Sequence, residues 1–280
     1  MAILIEQNID TTTAAYTAAE TYERFIVTGI FRYWTPLFLE RAAPQMGERV
    51  LDVACGTGVV ARSVVPLVGR RGKVIGLDIN PAMLEVACKQ FSDHCEEIDW
   101  QEGQAEALPF SDEEFDLVTC QQGLQFFKDK TRAAQEMHRV LRPKGRVAIE
   151  VWQSTERNIV FGQIFETIAS VFNIPATKVT TPHSYGDPDE LALLLIKAGF
   201  QQVKVEAVRQ DVHFNEVGRF MELTINGAAA VIPALANLDK AVQTELFARA
   251  ARETAAFVND HVENGVLTFP MYGNIATGVC

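Results

Sequence analysis

The chain has 280 residues, 48% hydrophobic and 22% charged, the balance of an ordinary globular protein able to bury a sizeable core. Its formal net charge of −11 argues against nucleic acid as a main partner, because neutralising phosphates takes basic patches. No apolar run reaches the roughly 18 residues of a membrane span, and the opening run Ala2 to Ile5, followed by Glu6, is too short for a signal peptide. Residues 1–12 carry no pattern. From Thr13 the sequence turns helical, with Tyr22, Ile26, Ile30 and Tyr33 three or four apart and Phe25 and Trp34 beside them. Thr35-Pro36 reads as an N-cap with proline at the first helical position, opening a second helix to about Ala43. These helices either pack on the domain that follows or cover its ligands, with Tyr16, Tyr22 and Phe25 as the aromatic contributors.

The core alternates strands and helices. Strand one is about 49–54, within Val50 to Val60, VLDVACGTGVV. Its apolar run suits a parallel strand covered on both faces. Gly56 and Gly58 let the backbone turn sharply and approach a ligand, Thr57 can cap the next helix, and that helix presents free N–H groups to whatever sits over the turn. Strand two is Lys73 to Asp78, followed by a helix from Pro81 to Phe91; strand three is Ile98 to Gln101 and strand four Phe115 to Cys120. A helix from Thr131 to Leu141 stops at Pro143, and strand five is Arg146 to Trp152.

The second half is less regular. A helix is expected over 160–172, a loop over 180–188, a helix over 189–198 ended by Gly199, and strand six over 201–208. A helical stretch over 216–236, broken at Gly227 and Pro233, precedes a helix from Leu238 to Val258 with Leu238, Val242, Leu246, Ala250 and Phe257 on one stripe. Val266 to Thr277 is the last strand. The division expected is an N-terminal helical cover (1–45), a nucleotide-binding core (46–152), the remainder of the core (153–214), a helical cap (215–264) and the last strand (265–280), in one unit.

Gly56-x-Gly58-x-x-Ala61 fits the dinucleotide fingerprint as well. Asp52 breaks the tie: a carboxylate is a poor neighbour for a pyrophosphate and suits a cationic ligand, such as the ammonium and sulfonium of S-adenosylmethionine. The stretch resembles motif I of class I S-adenosylmethionine-dependent methyltransferases. Asp78, 20 residues after Gly58, stands where an acid accepts both ribose hydroxyls, with Ile79 and Met83 against the adenine. Gly103 to Phe110, GQAEALPF, resembles the family's G-D-A-x-x-L-P-F segment, with Gln104 in place of the usual Asp; an amide oxygen still accepts a hydrogen bond. Gln121 and Gln122 end strand four, where ligands bind in open α/β sheets. Ala134 to Arg146 resembles the family's helix–turn before strand five. The resemblance is greatest to the branch that includes the ubiquinone and menaquinone biosynthesis C-methyltransferases, the methyltransferase 11 type, and is strong over Arg49 to Trp152.

The resemblance implies a Rossmann-like α/β fold: a seven-stranded, mostly parallel sheet of order 3-2-1-4-5-7-6, with an antiparallel last strand and a helical cap. It implies transfer of a methyl group from S-adenosylmethionine to a small-molecule acceptor, and an enclosing cap over 215–264 would favour a small, largely apolar one. Tyr22, Asp52, Ala54, Gly56, Gly58, Asp78, Ile79, Met83, Gln104, Ala105, Glu106, Gln121 and Gln122 are the candidate cofactor residues. Tyr16, Phe25, Trp152, His183 and Tyr185 are the candidates on the acceptor side, with His183 a candidate general base. The five cysteines and five histidines match no ligand spacing, so no metal is expected, and reduced thiols are expected in a cytoplasmic protein, monomeric or homodimeric. Two other readings are an NAD-dependent oxidoreductase, on Gly56, Gly58, Ala61 and Asp78, and a non-catalytic S-adenosylmethionine-binding protein. The stretch 215–264 is too apolar to stay solvated: it either joins the N-terminal helices in a cap over the strand ends or forms a dimer interface on the far side of the sheet.

Overall fold

In the computed structural model, which describes residues 11–90, 97–172, 175–179, 181–230 and 240–280, β1 (Arg49–Val53) lies in the middle of one mixed sheet. It pairs in parallel with β2 (Lys73–Asp78) and β4 (Phe115–Gln121), and β3 (Ile98–Glu102) and β5 (Leu141–Trp152) continue the sheet in parallel on either side. β8 (Val266–Val279) runs antiparallel to β5, and β6 (Gln201–Phe214) antiparallel to β8. The order is β3-β2-β1-β4-β5-β8-β6. A two-residue strand, β7 (Val262–Glu263), pairs with β8 across a turn in which Asn264 and Gly265 both have positive φ, so the sheet has eight strands where seven were expected.

The apolar run of β1 follows from its place. Val50 joins the core on one face, with Leu117 and Ala148, while Leu51 and Val53 join the other, with Val118 and Ile149. The first face is covered by α3 (Val59–Val68) and by Trp34 and Phe38. The second is covered by α5 (Lys130–Val140) and α7 (Pro188–Ala198). Between β2 and β3 runs α4 (Pro81–Gln90), and after β5 comes α6 (Ile159–Phe172).

The N-terminal helices are joined. An α-helix, α1 (Thr11–Thr21), passes into a π-helical segment (Tyr22–Phe31) and then into α2 (Arg32–Ala42). Thr35-Pro36 therefore lies inside a helix and starts none. The Thr35 hydroxyl instead donates to Gln121 Oε1 at 2.8 Å. Gly29 is required in the π segment, because a Cβ there would stand 2.3 Å from the Phe214 ring. Phe25 is buried by Phe214, at 4.9 Å between ring centroids, and by Phe220.

Strand β6 is six residues longer than expected. Arg209-Gln210-Asp211 breaks the apolar pattern, but Val208, Val212 and Phe214 keep one face buried against Leu267, Phe269 and Met271 of β8. This extension supports the π segment and α8 (Phe220–Ala228), whose Gly227 packs on Ile26. A last helix, α9 (Lys240–Asp260), packs on α6 through elements that include buried Leu246 and Ala250; Val242 on the same expected stripe is exposed. The expectations for residues 1–10, Phe91, His94, Cys95, Thr180, Val231, Ile232, Pro233, Leu235, Leu238 and the Phe257 side chain lie outside the described residues. Cys55, Cys120 and Cys280 are free thiols, whereas Cys88 is disulfide-bonded, against the expectation of reduced cysteines. Among the described residues no helix is long and apolar enough to cross a membrane.

Candidate functional site

The carboxyl ends of β1, β2 and β4 open onto a cavity of about 340 Å³. Two of the strand ends turn through left-handed backbone at residues other than glycine: Ala54 after β1 (φ 56°) and Gln122 after β4 (φ 58°). Such conformations cost about 1–3 kcal/mol and concentrate at ligand sites. Gly56 also has positive φ (54°), and nothing stands within 4 Å of where its Cβ would be, so the backbone is bare towards the cavity.

Twelve of the thirteen expected cofactor residues line this cavity: Tyr22, Asp52, Ala54, Gly56, Asp78, Ile79, Met83, Gln104, Ala105, Glu106, Gln121 and Gln122. Gly58 does not line it. It begins α3 with φ 84°, and a Cβ there would meet the Trp100 ring at 2.3 Å, so its glycine serves packing. Thr57 does not cap α3. Its hydroxyl is buried without a partner, and it lines the cavity. The capping is done from β1: Asp52 Oδ2 accepts the Ala61 N–H at 3.2 Å, and Oδ1 accepts from the Thr119 hydroxyl at 2.9 Å.

The site is acidic and dry. Burial raises the Asp52 carboxyl to about 7, against the pull of its two hydrogen bonds, and Asp78 pushes it in the same direction. Burial also raises Asp78. Asp78 Oδ2 accepts the Gly56 N–H and Oδ1 the Asn80 N–H, both at 2.8 Å, with the Ile79 N–H also directed at the carboxylate, whose about four lone-pair sites leave it further accepting capacity. The Tyr22 hydroxyl is raised above its usual range by burial and by Asp78.

Gln121 and Gln122 face the cavity, but their amides are engaged behind it. Glu150 is fully buried on β5 and accepts from Gln121 Nε2 at 3.0 Å and Gln122 Nε2 at 2.8 Å. Burial raises Glu150 to about 7. Glu106 Oε1 likewise accepts the Lys128 N–H at 3.0 Å, tying the loop after β3 to the loop after β4. Phe31, Gly123, Phe126, Phe127 and Ala230 line the cavity as well. The glutamine-rich run Gln121 to Gln125 was the available signal for Gly123.

A second, smaller cavity of about 90 Å³ adjoins the first, and Tyr22, Phe31, Gln122 and Phe126 line both. Its remaining wall is mostly apolar, from the π segment, α6, α8 and β8, with Trp152, His183, Gln125 and Thr224 among it. Of the expected acceptor-side residues, Trp152 and His183 are there. Phe25 is not, being enclosed by Phe214 and Phe220. Tyr185 packs into the core on the other face, with Lys130 Nζ 5.5 Å from its ring centroid. Tyr16 lies against α4, its hydroxyl accepting from Lys89 Nζ at 3.0 Å.

The ubiE/COQ5 methyltransferase family model matches residues 14–218. The chain belongs to this family. It is 42% identical over 123 residues to the ubiquinone/menaquinone biosynthesis C-methyltransferase UbiE of Hahella chejuensis, a match spanning 43% of this chain and about half, 49%, of that protein. To the UbiE protein of Shewanella oneidensis it is 30% identical over 191 residues, 62% of this chain and 75% of that protein. The fold is shared with the YcgJ protein of Bacillus subtilis (TM-score 0.57, 19% identity, 88% of this chain and 97% of that one). It is shared too with phosphoethanolamine N-methyltransferase 2 of Haemonchus contortus in complex with S-adenosyl-L-methionine (TM-score 0.57, 19% identity, 98% and 58%). As a family member the chain is an S-adenosylmethionine-dependent methyltransferase, and the dinucleotide reading of Gly56, Gly58 and Ala61 falls away.

Proposed function

We propose that S-adenosylmethionine occupies the larger cavity, that a small and largely apolar acceptor occupies the smaller one, and that the methyl group passes between them to a ring carbon of a quinone-precursor type of acceptor. The observation that carries this is the shared wall: Tyr22, Phe31, Gln122 and Phe126 border both spaces. The relatives named for ubiquinone and menaquinone biosynthesis support the acceptor class, and the aromatic lining of the second cavity suits a flat apolar ring.

The residues present fit the cofactor. The spare lone pairs of Asp78 suit the two ribose hydroxyls, the bare backbone at Gly56 permits close approach, and Met83 and Leu77 give the adenine an apolar bed. A cation in the cavity favours ionised Asp52 and Asp78, which burial otherwise disfavours. When bound, S-adenosylmethionine supplies a methyl group already activated by its positive sulfur. The chain therefore has to hold the acceptor in line across the shared wall and keep water out. The π segment, α8 and the turn after it border the space: Tyr22 and Ala230 line the first cavity, Ile26, Thr224 and Ile225 the second. They form the cap in this reading.

The test is incubation with methyl-labelled S-adenosylmethionine and reduced naphthoquinones or benzoquinones that have an unsubstituted ring carbon. Label on the ring carbon is expected. Label only on oxygen, or none on any such ring while the cofactor binds, refutes the acceptor assignment.

A further inference from the structure

Strand β6 ends the sheet. It pairs with β8 and, among the described residues, with no other strand. Over 201–207 every residue of this edge is exposed or half-buried, Val203, Val205 and Ala207 included. The ladder decides which backbone groups are left free. The Cys280 N–H donates to the Gly145 carbonyl at 2.9 Å and the Gln153 N–H to the Tyr272 carbonyl at 3.0 Å, so the even-numbered residues of β8 bond β5 and the odd-numbered ones bond β6. Opposite Thr277, Ile275 and Gly273 stand Lys204, Glu206 and Val208, whose backbone groups therefore bond β8. Those of Val205 and Ala207 point to the open edge. The side chains alternate as well. Val203 and Val205 pack into the core on the face that α7 covers, and α7 leaves Leu193 and Ile196 exposed on its outer surface. Lys204 and Glu206 stand on the opposite face. There Arg41 holds the Glu206 carboxylate with two hydrogen bonds, from Nη2 at 2.7 Å and Nε at 3.2 Å.

A row of unpaired N–H and C=O groups is a template for another strand, and a lysine within it normally repels one. Against a copy of the same strand the charge pattern becomes complementary. We propose that the chain forms a two-fold dimer in which β6 pairs antiparallel with β6 of a second copy, Val205 opposite Val205. The outward backbone groups belong to odd-numbered residues, so odd must face odd. Centred on Val205, Lys204 of each copy meets the partner's Glu206, and Val203 meets the partner's Ala207. Centred one residue earlier, Lys204 faces itself; one residue later, Glu206 faces itself. Opposite charges attract and like charges repel across such pairs, so charge selects the first register. In it Lys204 and Glu206 form non-hydrogen-bonded pairs, in which side chains stand closest. The bulge between Gln201 and Lys204, with Gln202 at φ 51°, breaks the regular ladder and confines the pairing to about 203–207. The two-fold axis runs perpendicular to the joined sheet, which puts α7 of both copies, with Leu193 and Ile196, over the same face. β5 and β8 separate β6 from β1, β2 and β4, so each copy keeps its own larger cavity.

Sedimentation equilibrium of the full chain at neutral pH, from about 1 to 100 µM, reads the association. The wild type is expected to reach twice the mass of one chain, with Kd inside that range. Val205→Pro removes the outward N–H at the centre of the joint and leaves the β6–β8 ladder bonds of Lys204 and Glu206 in place; it is expected to raise Kd about tenfold or more. Lys204→Glu sets acid against acid twice and is expected to raise Kd by a similar factor, as is Glu206→Lys, which sets base against base. An equimolar mixture of those two charge variants is expected to form mixed dimers within about tenfold of the wild-type affinity, because every glutamate then faces a lysine. Circular dichroism checks that each variant is folded, and the charge variants, at exposed positions, decide the matter where Val205→Pro does not fold. A wild type that stays monomeric at about 100 µM, a dimer whose affinity Lys204→Glu leaves unchanged, or a mixture of the charge variants that stays monomeric overturns the proposal.

Discussion

Asp52→Asn isolates the carboxylate beneath the larger cavity. Asn Oδ1 can accept the Ala61 N–H, and Asn Nδ2 can donate to the Thr119 hydroxyl, which then turns its proton to the Leu51 carbonyl, 3.4 Å away. The fold should survive. What changes is the dependence on pH. Burial raises Asp52 from 3.8 to about 7 in the folded chain. A raised acid contributes stability that is complete below its unfolded value and is lost as pH rises through the folded value. Between pH 5 and 8 the ligand-free wild type therefore loses about 2–3 kcal/mol through Asp52, and Asp52→Asn does not. That is a sizeable share of a typical 5–15 kcal/mol stability. Urea unfolding of both proteins at pH 5 and pH 8 reads the difference directly. Glu150, also raised to about 7, gives both proteins a similar slope and cancels in the comparison. Parallel pH profiles for the two proteins refute the placement of Asp52 as a buried, titrating carboxylate.

Asp78→Ala should weaken S-adenosylmethionine binding about tenfold or more, because hydrogen bonds to a charged group contribute about 1.5–3 kcal/mol; unchanged calorimetric affinity in a folded variant removes Asp78 from the site. Gly58→Ala should destabilise by about 2 kcal/mol or more, from positive φ together with the clash with Trp100, with thermal unfolding as the readout. Gly56→Ala, in open space, should cost only about 1–2 kcal/mol of backbone strain yet weaken cofactor binding about tenfold; a larger stability loss at Gly56 than at Gly58 contradicts this division. Glu150→Gln puts an amide against the amides of Gln121 and Gln122 and should destabilise by about 1–3 kcal/mol in denaturant titrations at pH 8, against no change if the network is idle.

Strands β1, β2, β4 and β5 were legible because parallel strands covered on both faces demand continuous apolar runs, and because Pro81 and Gly199 punctuate the helices; β3 is an edge strand with only Ile98 buried, and β5 begins at Leu141, five residues before the expected start, with Pro143 inside it. The cavity residues near the strand ends were legible through motif spacing. Long-range contacts were not. Nothing local distinguishes Phe25, enclosed by Phe214 and Phe220, from Phe31, which borders both cavities. Thr35-Pro36 has the local chemistry of a helix start, yet tertiary contact with Gln121 keeps it inside a helix. Gly58 and Gly56 look alike in sequence; only Trp100, 42 residues on, makes one a packing glycine. Gln121 and Gln122 were picked out at the end of strand four, but Glu150, which orients them, stands in a strand that reads as plain core.

The most direct measurement is a crystal structure of the full chain with S-adenosylhomocysteine and 1,4-dihydroxynaphthalene. The expected result places the ribose hydroxyls on Asp78, the sulfur at the wall formed by Tyr22 and Gln122, and the diol beyond it among Trp152, His183 and Gln125. Cofactor bound away from Gly56 and Asp78, or its sulfur facing away from the second cavity, contradicts it.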